Sequence, residues 1–247
     1  MKVTYPDLKN KTILVTGSAS GMGHAQCLSF LEQGCLVYGI DINATKINDA
    51  NFHSLKMDLS QSKKIAPVIN KLPDFDIICN TAGILDDFKK STDISLDYWL
   101  KIINTNLTSI FTISNAVINK SLNSKHHLTF VNMASIASFM ASGGGAAYTA
   151  SKHAIMGYTK QLNFDYGKLG VRANCIAPGA VKTNMTKKDF QNDAIIAKKV
   201  ASKTVIGRYA VPSEIADLTM FLASKASKYI YGATIPIDGG FSLGKEI

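Results

Sequence analysis

The sequence predicts a doubly wound α/β fold built on a parallel sheet. Three observations carry this expectation. Short β-branched runs alternate with amphipathic segments from end to end, those runs are almost continuously apolar, and a glycine-rich turn joins the first run to the first helix. Strands covered on both faces read as unbroken apolar runs, and parallel neighbours need helical crossovers between them.

Each element has its own reason. Thr12 to Val15 is β-branched and apolar, which suits a buried strand. Ala25 to Gln33 follows as a helix closed by Gly34. Leu36 to Ile40 is the second strand, ending at Asp41, and Leu55 to Met57 is a short third strand ending at Asp58. Ser62 to Leu72 has helical character, although Pro67 removes a backbone donor within it. Ile77 to Cys79 is a buried fourth strand. From Ser95 to Asn119 apolar residues recur at helical spacing (Leu96, Trp99, Leu100, Ile103, Leu107, Ile110), which predicts one long helix. Leu128 to Met133 is a strand, Tyr148 to Gly167 a helix and Val171 to Ile176 a strand. Pro212 stands before a helix over Ser213 to Ala223, where its missing N–H is harmless, and Thr234 to Ile237 is the last strand.

No linker rich in Pro, Gly or Ser divides the 247 residues, so one domain over 1–247 is expected. Thr183 to Ile206 stands apart. It is polar, lysine-rich and without a strand, and is read as either a loop or a helical lid over a site.

A hydrophobic content of 46% with 18% charged residues excludes a disordered or fibrous chain. The net charge is +9, but the lysines are scattered and no aromatic residues alternate with them, so neither nucleic acid nor a membrane is expected as a partner. Cys27, Cys35, Cys79 and Cys175 form no metal or redox spacing, and no metal is expected. Residues Met1 to Asn10 are polar and no apolar stretch is long enough to span a bilayer, so a cytoplasmic location is expected.

The turn Thr16-Gly17-Ser18-Ala19-Ser20-Gly21-Met22-Gly23 suits a dinucleotide pyrophosphate. Its glycines permit a tight turn, a close backbone approach and close helix–strand packing, and the helix N-terminus adds a partial positive charge. Asp41 at the end of the second strand can accept from the adenosine ribose hydroxyls and would repel a 2′-phosphate. Neither Ile42 nor Ser20 offers a cation to that phosphate, so the cofactor predicted is NAD. Asp58 can accept from the adenine amino group, and the small residues of Asn80-Thr81-Ala82-Gly83 let backbone pass close to a ribose.

Tyr148 and Lys152 lie one turn apart on one helix face. Ser135 ends the fifth strand, and a glycine-rich link, Gly143-Gly144-Gly145, leads from it to Tyr148. Asn106 is a polar residue amid Leu107, Ile110 and Phe111, costly to bury unless it is hydrogen-bonded.

With these residues the chain resembles the classical short-chain dehydrogenase/reductase family, from Thr12 to Gly240. The matching motifs are Thr16–Gly23, Asn80-x-Ala82-Gly83, Asn106, Ser135, Tyr148-x-x-x-Lys152, Pro178-Gly179 with Thr183, and Asp238-Gly239-Gly240; Thr81 departs from the Asn often found there. The resemblance implies a single-domain Rossmann fold of about seven strands with helices on both faces. It implies a catalytic set of Asn106, Ser135, Tyr148 and Lys152. The implied cofactor set is Gly17, Ser20, Gly21, Met22, Gly23, Asp41, Ile42, Asp58, Leu59, Asn80, Ala82, Gly83, Tyr148, Lys152, Pro178, Gly179, Val181 and Thr183.

In the mechanism so implied, Tyr148 is the acid/base, and the Lys152 ammonium and the positive nicotinamide ring together lower its pKa from about 10. Ser135 polarises the substrate carbonyl, Asn106 anchors a water that relays protons to Lys152, and Pro178 to Thr183 orient the nicotinamide. The pattern Ile206-Gly207-Arg208 with Pro212-Ser213-Glu214 resembles the bacterial 3-oxoacyl-acyl-carrier-protein reductase branch. That branch implies an acyl-thioester substrate. An NAD-dependent dehydrogenase of a small hydroxyacid, ketol, polyol or hydroxysteroid is the alternative, and a non-catalytic NAD-binding sensor a further one. The family also implies a homotetramer, with Ser213–Phe241 as a candidate interface.

Overall fold

The structure, a computed structural model, describes residues 3–124, 126–141 and 143–244. Its strands are β1 (Thr12–Thr16), β2 (Leu36–Asp41), β3 (Phe52–Lys56), β4 (Ile77–Asn80), β5 (Leu128–Met133), β6 (Val171–Pro178) and β7 (Thr234–Ile237). The helices are α1 (Gly21–Glu32), α2 (Ser62–Ile69), α3 (Leu96–Ile103), α4 (Ser109–Ser124), α5 (Ala146–Tyr166), α6 (Ile195–Ala201) and α7 (Pro212–Ala223). The strands make one seven-stranded sheet in the order β3-β2-β1-β4-β5-β6-β7, with every pair parallel.

The continuous apolar runs are explained by two covered faces. Successive strand residues point to opposite sides. Ile13 and Val15 therefore join Cys27, Phe30, Ile215 and Leu222 of α1 and α7. Leu14, between them, joins Ile65, Ile69, Ile113, Val117 and Leu162 of α2, α4 and α5. Each such side chain, fully buried, contributes about 1.5–3 kcal/mol of transfer free energy. Because β1 pairs with both β2 and β4, the winding reverses there, and a crevice opens beyond the carboxyl ends of β1 and β4.

Several boundaries differ from expectation. The first helix starts at Gly21, not Ala25, because the glycine-rich turn runs straight into helical backbone. The third strand lies over Phe52–Lys56 rather than Leu55 to Met57, in register with β2 from Val37↔Phe52 to Asp41↔Lys56. It is an edge strand with exposed His53 and Ser54, and this polarity hides it in the sequence. The helix expected over Ser62 to Leu72 stops at Ile69. The long helix expected over Ser95 to Asn119 is divided into α3 and α4 by a π-helical turn at Asn104–Thr108. Such a turn keeps the helical run going, so apolar spacing does not reveal it.

The segment 183–206 takes the helical form. Short 3₁₀ stretches at Asn184–Phe190 and Asn192–Ala194 lead into α6, and a bridge between Val181 and Ala210 closes its base. Among the described residues no helix is long and apolar enough to cross a membrane, and no cluster of metal-ligating side chains occurs.

Candidate active site

The crevice at the end of β1 is a cleft of about 560 Å³. Its walls include Gly17, Ser20, Gly21, Met22, Gly23, Asp41, Ile42, Asp58, Leu59, Ala82, Gly83 and Thr183, twelve residues singled out from the sequence. Gly17 has φ +75°, and a Cβ there would stand 3.0 Å from the Ala82 Cα. A Cβ on Gly23 would run into the Gly17 carbonyl. The turn is thus closed by backbone on backbone, and only glycine fits.

The cleft's carboxylates are held in place. Asp41 accepts from the Ala19 N–H at 3.0 Å and the Asn43 N–H at 2.8 Å, which ties the end of β2 to the glycine-rich turn. Asp58 accepts from the hydroxyl and N–H of Ser60 and from the Gln61 amide. The Ser60 contacts, with smaller help from Gln61 and Lys101, hold its pKa below the ordinary value. The Thr16 hydroxyl accepts from the N–H groups of Thr81 at 2.9 Å and Ala82 at 3.0 Å, so β1 fixes the loop after β4.

Other expected cofactor residues lie off this wall. The Asn80 side chain is buried and donates to Asn132 Oδ1 at 2.8 Å, within the sheet. Val181 is buried beside its bridge partner Ala210. Gly179 packs on Asp238, where a Cβ would stand 2.9 Å from the Asp238 Cα; the neighbouring Pro178 ends β6.

Asn106, Ser135, Tyr148 and Lys152 converge beside the cleft. They are 0%, 7%, 9% and 3% exposed. The Ser135 side chain faces the Tyr148 phenol and favours its ionised form. Ser135 Oγ also accepts from the Ala137 N–H at 3.1 Å, capping the turn after β5. Ser138, in that turn, donates to the Lys152 carbonyl at 2.7 Å and so couples the turn to α5. Lys152 Nζ donates to the Met133 carbonyl at 2.7 Å and stands 5.5 Å from the centre of the Tyr148 ring. A Cβ on Gly83 would be 3.4 Å from Asn106 Oδ1 and 3.6 Å from Lys152 Nζ, so this glycine on the cleft wall abuts both.

Two expectations change in detail. Burial pushes the Tyr148 phenol up; the Ser135 side chain draws it back, and the charge of Asp86 pushes it further up. Lys152 is not among the groups that move the phenol, and burial pushes the Lys152 ammonium itself down, to about 8. Asn106 accepts from the Ile84 N–H at 2.8 Å and donates to the Ile84 carbonyl at 3.0 Å and to Ser151 Oγ at 3.2 Å. Both its amide hydrogens are used, which explains how a polar side chain sits wholly buried at the π turn.

Sequence reasoning missed Asp86 and Gln26, and it named Thr16 only as part of the glycine-rich motif, not for its hydrogen bonds to the loop after β4. Asp86 accepts from the N–H groups of Gly145 and Tyr148. Gln26 accepts from the Thr81 hydroxyl at 2.6 Å and donates to Thr219, so the departure at Thr81 is built into α1 and α7. None of these has a periodic signal, since their partners are remote in sequence. Tyr98 and Lys101 also line the cleft without having been anticipated, and Met185, expected in the substrate pocket, lines it too.

Comparison with known proteins fits this geometry. The family described as Enoyl-(Acyl carrier protein) reductase matches residues 17–242. The 3-oxoacyl-[acyl-carrier-protein] reductase FabG of Chlamydia trachomatis is 34% identical over 249 residues, covering 95% of this chain and 98% of that one. The 2-dehydro-3-deoxy-D-gluconate 5-dehydrogenase of Dickeya dadantii is 32% identical, covering 95% and 96%. A solved structure of a 4-hydroxyisoleucine dehydrogenase mutant complexed with NADH and succinate superposes with a TM-score of 0.91 at 33% identity, covering 96% of this chain and 100% of that one. With this fold, this cleft and these matches along nearly its whole length, the chain belongs to the short-chain dehydrogenase/reductase family, oxidoreductases acting on CH–OH groups.

Proposed function

We propose that the protein interconverts a ketone and a secondary alcohol with NAD(H), using Tyr148 as the acid/base. The observation that carries this reading is that Lys152, which abuts Gly83 on the wall of the cleft, stands beside the Tyr148 ring, with Ser135 acting on the same phenol. The residues fit a dinucleotide: the glycine turn leaves a cradle that a Cβ would fill, and Asp41 closes its far side. Backbone N–H groups of the turn would hold the pyrophosphate, Asp41 the ribose hydroxyls and Asp58 the adenine. When bound, the nicotinamide supplies or accepts the hydride.

The chain's own residues handle the proton. The Tyr148 hydroxyl gives its proton to the substrate oxygen in reduction and takes it back in oxidation. The Ser135 hydroxyl donates to the same oxygen and stabilises the charge that develops there. Lys152, titrating near 8, holds a proton at neutral pH and returns it toward the phenolate. Asn106 fixes the loop that carries Gly83 and Ile84, and its remaining Oδ1 lone pair is available to a relay water.

For the substrate, a small anionic hydroxyacid or its oxo form is the reading we favour. Asp41 supports NAD(H), and the relative solved with NADH carries succinate, a dicarboxylate. A second cavity, lined by Met140, Ser202, Lys203, Val205 and Phe241, brings one cation and no carboxylate among its described residues. A 3-oxoacyl thioester on an acidic carrier is the second reading, supported by the FabG relative and by Lys187, Lys188, Lys198 and Lys199 on the lid. A panel of oxoacids, ketols, ketosteroids, polyols and 3-oxoacyl thioesters, followed by nicotinamide absorbance, separates them. Turnover of oxoacids supports the first reading, preference for thioesters the second, and no turnover at all contradicts both.

We propose further a homotetramer in a reducing, cytoplasmic setting. Nearly full exposure of Phe164 and Tyr229 supports the first, and four free buried thiols support the second. A monomer in sizing measurements at micromolar concentration would contradict the assembly.

A further inference from the structure

We propose that Asp86 is a positioning residue for the reaction: a buried carboxylate that fastens the Tyr148 turn to the loop lining the cofactor cleft. The inference rests on the reading of Tyr148 as acid/base.

Asp86 is wholly buried, and among the described residues it makes no ion pair. Its partners are at the start of α5. Oδ1 accepts from the Gly145 N–H at 2.7 Å and Oδ2 from the Tyr148 N–H at 2.9 Å. Gly145 is the N-cap of α5 and has no side chain to cap the helix itself. A Cβ there would stand 2.7 Å from Asp86 Oδ2. The cap has therefore been moved from its usual place to a residue on another loop. A negative charge at a helix N-terminus is favourable, which offsets part of the cost of burying it.

The location of that loop makes the cap a device for catalysis. Residues Thr81 to Leu85 line the cleft. The same loop is tied to β1 by Thr16 and to the π turn by Asn106. Asp86 adds the third tie, to the residue that bears the phenol. The distance from Tyr148 to anything lying along Gly83 is thereby set through one short loop. A misplacement of about 1 Å at such a site can cost about a hundredfold in rate.

The carboxylate also acts on the phenol through space. The groups facing Tyr148 are Asp86 from this loop, Ser135 from the turn after β5 and Lys152 from α5. Burial raises the phenol most, and of these neighbours Asp86 alone raises it further. Its charge favours the protonated phenol, adding to the larger influence of burial.

The test is Asp86→Asn, which keeps the shape, removes the charge and turns one of the two accepting oxygens into an amide donor, so that one tie to α5 is lost. The Tyr148 phenol is titrated directly by NMR of ring-labelled tyrosine, with Tyr148→Phe used to assign the signal. NADH affinity is measured separately, and turnover is followed against pH with the best substrate of the panel. We expect the Tyr148 midpoint to fall, NADH affinity to stay within about twofold, kcat to fall by about tenfold or more, and the pH profile to move to lower pH. A folded variant with an unmoved midpoint and unchanged kcat overturns the proposal.

If Asp86→Asn does not fold, amide hydrogen exchange of the wild type decides. Gly145 and Tyr148 N–H protons protected as strongly as the middle of α5 support the tie, and rapid exchange at both overturns it. The titration and the exchange need no substrate. If the wild type turns over nothing in the panel, the functional reading fails while the effect of Asp86 on Tyr148 is still measured.

Discussion

Lys152 Nζ stands 5.5 Å from the centre of the Tyr148 ring while donating at 2.7 Å to the Met133 carbonyl. The ammonium is therefore anchored to the end of β5 rather than to the phenol, and it is almost fully buried. Burial brings its pKa down from 10.5 to about 8.

That shift makes stability depend on pH. The unfolded chain holds the Lys152 proton up to about 10.5, whereas the folded chain releases it from about 8. Below about 8 the fold carries the full cost of a buried cation, about 3 kcal/mol at most, and the cost is relieved as pH rises from 8 toward 10.5. Urea unfolding of the native protein and of Lys152→Met across this window should show the native protein gaining stability relative to the variant. A constant difference between the two would contradict the assignment.

The Asp41 carboxylate faces the cleft from the end of β2, held by Ala19 and Asn43. NADH should bind at least about tenfold tighter than NADPH, which corresponds to about 1.4 kcal/mol. Asp41→Asn removes the repulsion but turns one of the two accepting oxygens into an NH2 donor, so it should narrow the ratio by favouring NADPH and weakening NADH. Equal affinities in the native protein, by fluorescence titration of each dinucleotide, would remove the argument for NAD(H).

Gly23→Ala places a Cβ against the Gly17 carbonyl. The neighbour is backbone, so the turn itself has to move. We expect a loss of about 1–3 kcal/mol in stability, typical of overpacking, and at least tenfold weaker NADH binding (about 1.4 kcal/mol). Unchanged dinucleotide affinity would show that the turn is not the pyrophosphate cradle.

Asn106→Ala leaves the N–H and carbonyl of Ile84 without their buried partner. The expected cost is about 1–3 kcal/mol for each orphaned group. Urea unfolding measures it, and a loss below about 0.5 kcal/mol would mean that the loop is held by other contacts.

Much of the fold is legible in the sequence for one physical reason. Strands buried on both faces are largely apolar, as at Ile13, Leu14 and Val15, and their few buried polar side chains, such as Asn132 and Asn174, are hydrogen-bonded. The edge strand Phe52–Lys56 faces water, so its polar residues blur its limits. The π turn at Asn104–Thr108 leaves the apolar stripe intact and shows only as one polar residue, Asn106, where a core residue is expected. Most of the cleft wall was legible because glycine and carboxylate positions are dictated by backbone closeness and charge. Asp86 was not, because its partners at Gly145 and Tyr148 meet it only after the sheet has formed. The field at Tyr148 was not legible either, since burial of both phenol and ammonium is a property of the packed chain.

The central claim is that the Tyr148 hydroxyl is the proton donor and acceptor beside a bound dinucleotide. Steady-state turnover and NADH binding of Tyr148→Phe test it most directly. The account predicts NADH affinity within about twofold of the native protein and a loss of kcat of about a hundredfold or more, since general acid–base catalysis is worth about 10²–10⁴ in rate. Turnover within about threefold of the native value, below the range such catalysis supplies, would contradict it.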